Sequence, residues 1–199
     1  MKLREYRLIF VAAGLIGILL ISSPFIVEVI RAPGGAQFSE LYLLGPEGTA
    51  ENYPYDIAVG QNYSVYVGVK NHLGSLAYYV LYVKFGNQTD QMPNSTLGSP
   101  SSLVPLYEYR FSIPDSANWE HLLSFSVSHA SIQVNNSQIN TLQINDAILN
   151  VDKSAIWNSN STIYTYQLFF ELWLYNEQTG SVEFNNRFVT LQLNLIRAP

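Results

Sequence analysis

The sequence predicts an all-β immunoglobulin-like sandwich preceded by one N-terminal transmembrane α-helix. Three observations support this prediction. Residues 8–27 are uncharged and strongly apolar. Short apolar segments with strand-like alternation recur from residue 38 onward, and clusters of Gly, Pro, Asn and Ser separate them. Seven or eight short strands at this spacing are typical of an immunoglobulin-like sandwich.

The N-terminal segment LIFVAAGLIGILLISSPFIV (residues 8–27) is long enough to cross a bilayer as a helix. Lys2, Arg4 and Arg7 precede it, and basic residues flank the cytoplasmic side of membrane helices. We predict a cytoplasmic basic tail (1–7), a transmembrane helix (8–30) in contact with lipid through residues 8–27, a linker (31–37) and an extracellular domain (38–199). A cleaved signal peptide is the alternative, although its apolar core would be shorter.

Composition excludes several classes of function. The chain has 199 residues and no cysteine, which rules out disulfides, thiolate metal sites and a thiol nucleophile. From Ala32 onward, six Lys or Arg face thirteen Asp or Glu, which argues against binding of nucleic acid. Charged residues make up only 13% of the chain, so hydroxyls and amides supply much of its polarity, as suits an extracellular surface.

The predicted strands are 38–44, 63–69, 76–85, 106–113, 119–129, 163–175 and 184–196. We expect 63–69 and 76–85 to form a hairpin, and 163–175 to pair with 184–196. Residues 86–105 contain three prolines and are predicted to be a long exposed loop, whereas residues 132–160 are ambiguous. Alternation in 119–129 predicts that one face carries Trp119, His121, Leu123, Phe125, Val127 and His129.

Two predicted strands, 78–85 and 166–175, are apolar or aromatic on both faces, although a sandwich strand needs only one apolar face. In one interpretation, loops cover part of the outer face and tyrosine is tolerated beside water. In the other, a partner protein covers the sheet, because Tyr and Trp are enriched at the cores of interfaces. The candidate partner-contact residues are Tyr79, Tyr82, Phe169, Trp173 and Tyr175.

No arrangement of residues predicts catalysis, a cofactor or a metal. His121 and His129 are separated by about 27 Å of strand, and His72 falls at a predicted turn. The chain lacks a nucleophile elbow and a phosphate-binding glycine loop. A loop calcium site using Asp146 and Asp152, and an unrecognised hydrolase or metal oxidase, remain as alternatives.

Asn-x-Ser/Thr triplets are the clearest modification signal. They give five candidate N-glycosylation sites, at Asn62, Asn87, Asn94, Asn135 and Asn160. All but Asn62, which lies at a strand start, fall in predicted loops.

The stretch FSELYLLGPEGTAENYPYDIAVGQNYSVYVGVKN (38–71) combines a strand ending in Gly-Pro, the motif Ala-Glu-Asn-Tyr-Pro at 50–54 and Val59-Gly60. It resembles a family of uncharacterised archaeal membrane proteins, catalogued as domain of unknown function 1616. The segment LWLYN (172–176) resembles that family's final pair of strands. The resemblance implies an archaeal origin and an outward-facing β domain. It implies no catalytic residue.

The segment GPEGTAENYP (45–54) is rich in turn residues, and each proline restricts the residue before it. We expect a tight loop packed on one end of the sandwich. Contact of Glu47, Glu51 and Tyr53 with a ligand or partner is the alternative.

These features favour a non-enzymatic role. We expect a single-pass protein of the cell membrane, acting as an accessory or structural subunit of a membrane or cell-envelope complex. The alternative is a cell-surface module that binds a carbohydrate, peptide or solute.

Overall fold

The computed structural model describes residues 37–157 and 163–196. The predicted transmembrane helix, the linker up to residue 36 and Asn160 lie outside these residues. Ten strands form in the described part: β1 (Phe38–Leu44), β2 (Asp56–Ile57), β3 (Asn62–His72), β4 (Ala77–Asn87), β5 (Tyr107–Ile113), β6 (Asn118–Ile132), β7 (Asn136–Ile144), β8 (Ala147–Ile156), β9 (Tyr164–Asn176) and β10 (Ser181–Leu195).

None of the described residues forms a helix that is both long enough and apolar enough to cross a bilayer.

The strands form two five-stranded sheets, and the all-β prediction for this part of the chain is confirmed. Sheet one has the order β1-β3-β6-β7-β8, and sheet two has the order β2-β10-β9-β4-β5. Neighbours are antiparallel except for the parallel pair β2 and β10. In sheet two, β10, β9 and β4 lie side by side. Strands G, F and C have the same order in one sheet of immunoglobulin domains. Sheet one departs from that pattern, because β6, β7 and β8 follow one another as a meander.

Two strand pairings are settled by the structure. The predicted pairing of 163–175 with 184–196 is confirmed as β9 and β10, with a bulge between Phe184 and Arg187. The ambiguous region 132–160 contains the hairpin of β7 and β8, which turns at Asn145 and Asp146. Asn145 has a φ of 50°, in the left-handed region that asparagine tolerates well.

The predicted hairpin of 63–69 and 76–85 is wrong, because β3 and β4 belong to different sheets. Asn71, at the end of β3, is fully buried and directs this crossing. Its Nδ2 donates to the carbonyls of Ser75 (2.7 Å) and Ile113 (2.8 Å), while its Oδ1 accepts from the amide of Leu73 (2.9 Å). In a hairpin the two strands would pair with each other. Here the hydrogen bonds of Asn71 fix the connection that leads from β3 in sheet one to β4 in sheet two.

The connection between β3 and β4 is also held by Asp115, which lies between β5 and β6. Its Oδ1 accepts from the amide of Gly74 at 2.8 Å, and this hydrogen bond lowers the pKa of the carboxyl group. The ionised carboxylate is therefore the form that the fold favours.

We expect the stability contributed by Asp115 to be present above the pKa of an unperturbed aspartate and to be lost as pH falls through the depressed pKa. Asp115→Asn should therefore lower the melting temperature at about pH 7, and the difference from the wild type should shrink in acid. Thermal melts of both proteins over a pH series measure this. A difference that is constant with pH would contradict it.

Alternation along β6 holds only in part. Trp119, His121, Leu123, Phe125 and Val127 share the inner face as predicted. The register with β7 shifts on both sides of His129. The bulge adds a residue to one strand, which ends the alternation. His129 therefore does not continue the face that carries His121, and that part of the prediction is wrong.

The core lies between the sheets, and two buried tyrosines cross it. The hydroxyl of Tyr79 on β4 bonds Ser39 Oγ of β1 at 2.8 Å, and that of Tyr166 on β9 bonds Ser137 Oγ of β7 at 2.8 Å. Burial raises the pKa of both tyrosines. Each phenol thus fills the core while its hydroxyl is satisfied by the opposite sheet.

A long connection, residues 88–106, crosses the outer face of sheet two; we call it the strap. It corresponds to the predicted exposed loop, but Ser101 on it is buried.

Beneath the strap lies an ion pair between Lys84 of β4 and Glu171 of β9. Their Nζ and Oε2 atoms are 2.8 Å apart, and the two side chains are only 4% and 0% exposed. Lys84 donates to the carbonyl of Ser101 (2.8 Å), and Glu171 accepts from its amide (2.8 Å). The pair therefore fastens the strap at one residue.

Removal of one partner should leave the other charge buried and unpaired, at a cost of about 3–5 kcal/mol of unfolding free energy. We expect this loss for Lys84→Met and for Glu171→Leu, measured on the purified full chain by denaturant titration. The double variant should recover a large part of it, because no unpaired charge remains. Glu177→Gln, at an exposed carboxylate, is the matched control and should change stability by less than about 0.5 kcal/mol. Additive losses in the double variant would show that the two charges are not coupled.

Candidate functional site

Sheet two has an outer face that the strap covers only in part. The uncovered part carries five aromatic side chains, which we call the aromatic face: Tyr78, Tyr82, Trp173, Tyr175 and Phe184. They contact each other in pairs, with ring centroids 6.4 Å apart for Tyr78 and Tyr175, 5.5 Å for Tyr82 and Trp173, and 6.0 Å for Trp173 and Phe184. The result is two aromatic clusters on the same face of the sheet, Tyr78 with Tyr175 and Trp173 with Tyr82 and Phe184, across β4, β9 and β10.

Strand alternation places these side chains together. On β9, Glu171, Trp173 and Tyr175 point outward because the residues between them fill the core. Trp173 Nε1 donates to Glu171 Oε2 at 3.2 Å, so the carboxylate that fastens the strap also orients the indole. The aromatic face and the buried ion pair are therefore one connected structure.

A shallow depression of about 330 Å³ lies at one end of the aromatic face. Tyr78 and Tyr175 line it together with Ser75, Ser112 and Glu177. Leu76, which also lines it, is 68% exposed although it is a large apolar side chain. The depression thus offers aromatic, apolar and hydrogen-bonding groups side by side.

Charged residues occupy one margin of the aromatic face. On β5, Arg110 Nε donates to Glu108 Oε1 at 2.8 Å, and hydrogen bonds to Glu108 and Tyr78 raise the pKa of the guanidinium. Glu183 of β10 accepts from Asn176 and Thr179, which lowers its carboxyl pKa, but its register partner is Leu174, so it lies on the other side of the sheet. Arg110 and Glu108 thus give the aromatic face one charged margin, and a polar rim is common at protein interfaces.

The structure separates the five predicted partner-contact residues. Tyr82, Trp173 and Tyr175 lie on the aromatic face. Tyr79 and Phe169 are 0% exposed and are enclosed within the chain, so neither is placed to contact a partner. Tyr79 has the strand parity of the core face, and Phe169 lies on the buried part of the outer face.

Sequence reasoning missed Tyr78 and Phe184. Tyr78 belongs to the segment that is aromatic on both faces, and its spacing of four from Tyr82 was the signal that could have assigned it to the same face. Phe184 was harder to place, because the bulge that follows it changes the parity of β10.

Among residues 37–157 and 163–196, no group of three or more histidines or carboxylates could hold a metal ion. His72 Nε2 lies 2.9 Å from Glu40 Oε1. His121 stacks beside Trp119, with centroids 5.7 Å apart.

The alternative calcium site is wrong, because its two carboxylates are far apart. Asp146 lies in the turn before β8, and Asp152 lies within that strand. The strand rise separates the two Cα atoms by roughly 20 Å.

The loop at 45–54 is a tight turn, as predicted. The amide of Gly45 donates to the carbonyl of Thr49 at 2.6 Å, and a Cβ on Gly45 would lie 1.9 Å from the carbonyl oxygen of Glu51. Tyr53 donates to the carbonyl of Leu43 at 2.8 Å, which ties the loop to β1. Glu47 and Glu51 are exposed.

Residues 32–146 match the family model described as domain of unknown function (DUF1616). The chain belongs to this family. The resemblance of residues 38–71 to the family is thereby confirmed, and the match extends through the strap and the hairpin turn at Asp146. The match thus covers β1 to β7, and β8, β9 and β10 lie beyond it, so the resemblance of residues 172–176 to the family stays a prediction.

Comparison with solved structures gives matches of low identity and low TM-score. The chain is similar to the CARDB domain of the PF1109 protein from Pyrococcus furiosus in complex with di-metal ions, with a TM-score of 0.42, 11% identity, and coverage of 83% of this chain and 94% of that one. A β-glucosidase from Listeria innocua gives a TM-score of 0.41 at 8% identity, with 82% of this chain and 16% of the enzyme covered. The sporulation control protein Spo0M from Bacillus subtilis gives 0.26 at 10% identity, with 80% and 91% covered.

With TM-scores and identities this low, the likenesses carry no conclusion about the activity or ligands of this chain. No curated protein sequence matches it.

Proposed function

We propose that this chain is a non-catalytic accessory or structural subunit of a membrane or cell-envelope complex, anchored by residues 8–30 with its β domain outside the cell. The observation that carries the proposal is the aromatic face. The strap already buries the neighbouring part of the same sheet, and the aromatic face is the part that this covering leaves open. A partner protein that buried it would complete the sheet's second face.

The chemistry of the aromatic face supports a protein partner. Tyrosine and tryptophan are enriched among the residues that dominate binding energy, because they bury a large area with few rotatable bonds. Tyr78 and Tyr175 are 36% and 41% exposed, so they combine accessible rings with fixed backbones. Trp173 is held by its hydrogen bond to Glu171, which reduces the entropy lost on binding.

The proposal predicts that Tyr78→Ser combined with Tyr175→Ser removes a co-purifying partner. Each truncation at an interface centre costs about 2 kcal/mol, or about 30-fold in Kd. The full chain would be extracted from native membranes with a mild detergent and its associated proteins quantified by mass spectrometry.

Tyr55→Ser is the matched control for that experiment, because Tyr55 is 50% exposed and lies off the aromatic face. It should leave the association intact. A monodisperse monomer without an associated protein, or equal loss in the control and the double variant, would contradict the proposal.

A second candidate function is carbohydrate binding at the depression beside Tyr78 and Tyr175. Aromatic rings next to the hydroxyls of Ser75 and Ser112 and the carboxylate of Glu177 are the groups that suit a sugar. A glycan array probed with the full chain distinguishes the two functions. Binding that Tyr175→Ser abolishes and Tyr55→Ser preserves would favour the carbohydrate, whereas an array without signal would remove this candidate.

A further inference from the structure

We propose that Asn94, on the strap, is the N-glycan acceptor of the folded domain, and that Asn87 is excluded from modification by its own hydrogen bonds. The proposal rests on the outward orientation included in the proposed function. It concerns a different surface from the aromatic face, and it follows from the unequal environments of the acceptor asparagines in the described part of the chain.

Asn87 is the last residue of β4, and both ends of its side-chain amide are engaged in hydrogen bonds. Its Oδ1 accepts from the amide and the hydroxyl of Thr89, both at 2.8 Å. Its Nδ2 donates to the carbonyl of Ser154 at 2.6 Å, on the edge strand β8 of the other sheet. A glycan would replace one of the two hydrogens of this nitrogen, and the other is directed at β8, so the first sugar would have to lie against that strand. We therefore expect no modification at Asn87 in the folded domain.

Asn94 has the opposite environment. Its backbone pairs with Ser99 in a small hairpin, with N–O distances of 2.8 and 3.0 Å, and its Oδ1 accepts from the amides of Thr96 (2.9 Å) and Leu97 (3.0 Å). Within the part of the chain that the structure describes, its Nδ2 has no hydrogen-bond partner. Asn94 and Thr96 are both exposed, so the acceptor nitrogen and the required hydroxyl are open to a transferase.

The other two described acceptors, Asn135 and Asn62, are exposed, but the serine that completes each triplet is less accessible than Thr96. Asn135 is exposed, but Ser137 is buried and its hydroxyl is bonded to Tyr166 in the core. Asn62 is exposed at the start of β3, but Ser64 lies within that strand and pairs with Ser124 of β6. A transferase that acts on the folded chain would have to open the sandwich to reach Ser137. At Asn62 it would have to act on a triplet that is held extended in a strand paired with β6.

The test is the site occupancy of the full chain, produced in a cell that N-glycosylates its exported proteins and mapped by peptide mass spectrometry. We expect a glycan at Asn94 and none at Asn87. Thr96→Ala should remove the glycan from Asn94 and leave the melting temperature nearly unchanged. Thr89→Ala destroys the other triplet, so it should leave the glycan in place and lower the melting temperature by a few degrees, because Asn87 loses one donor.

Three outcomes would overturn the proposal: an unmodified Asn94, a modified Asn87, or occupancy at Asn62 or Asn135 that equals that at Asn94. Protease added outside intact cells separates this failure from that of the proposed function. A domain that the protease reaches, with Asn94 unmodified, overturns only the acceptor assignment. A domain that the protease cleaves only after the membrane is permeabilised overturns the outward orientation on which both proposals depend.

Discussion

Strands β4 and β9 lie at the centre of sheet two and carry apolar residues on both faces, but a two-layer sandwich supplies only one apolar environment. The other face must be covered by something else. The strap does this over the rows that contain Lys84 and Glu171, and each charge there has several partners. The ammonium meets a carboxylate and a carbonyl, and the carboxylate also accepts from an amide and an indole. A buried pair is tolerated only when its remaining polar groups are satisfied in this way.

The position of the strap also explains why the aromatic face is open. The strap leaves the end of β4 at Asn87 and returns beside its middle, where the amide of Leu106 donates to the carbonyl of Val83 at 2.8 Å. The covered rows are therefore those of the second half of β4. Tyr78 lies at the opposite end of that strand. Tyrosine and tryptophan suit such a position, because their rings can remain partly hydrated until a partner binds.

Sequence patterns predicted the strands better than their arrangement. Alternation in β3 and the two-faced composition of β9 gave correct elements, because side-chain periodicity depends on local geometry. The sheet to which a strand belongs depends on contacts that no periodicity encodes. Asn71 is an example, since a buried asparagine that bonds three backbone groups separates β3 from β4. The bulges at His129 and after Phe184 changed strand parity for the same reason.

Of the site, sequence predicted three members of the aromatic face, and it gave Asn94 as one of five candidate acceptors. It could not separate Tyr79 and Phe169 from those members, because burial of an outer-face residue depends on the path of the strap. Nor could it rank the asparagines, because Asn87 is distinguished only by β8, which lies far along the chain.

The two proposals assign different roles to the two parts of one surface. The strap covers its own half of sheet two without a partner. A bulky, hydrated glycan at Asn94 would therefore leave the stability of the fold unchanged. The aromatic face is the half whose apolar area remains exposed to water. A glycan there would prevent a partner protein from burying it. A glycan on the strap would instead increase solubility while leaving the rings accessible. If both proposals hold, Thr96→Ala should leave partner association intact and Tyr78→Ser with Tyr175→Ser should leave the glycan intact. The two surfaces would then be shown to act independently.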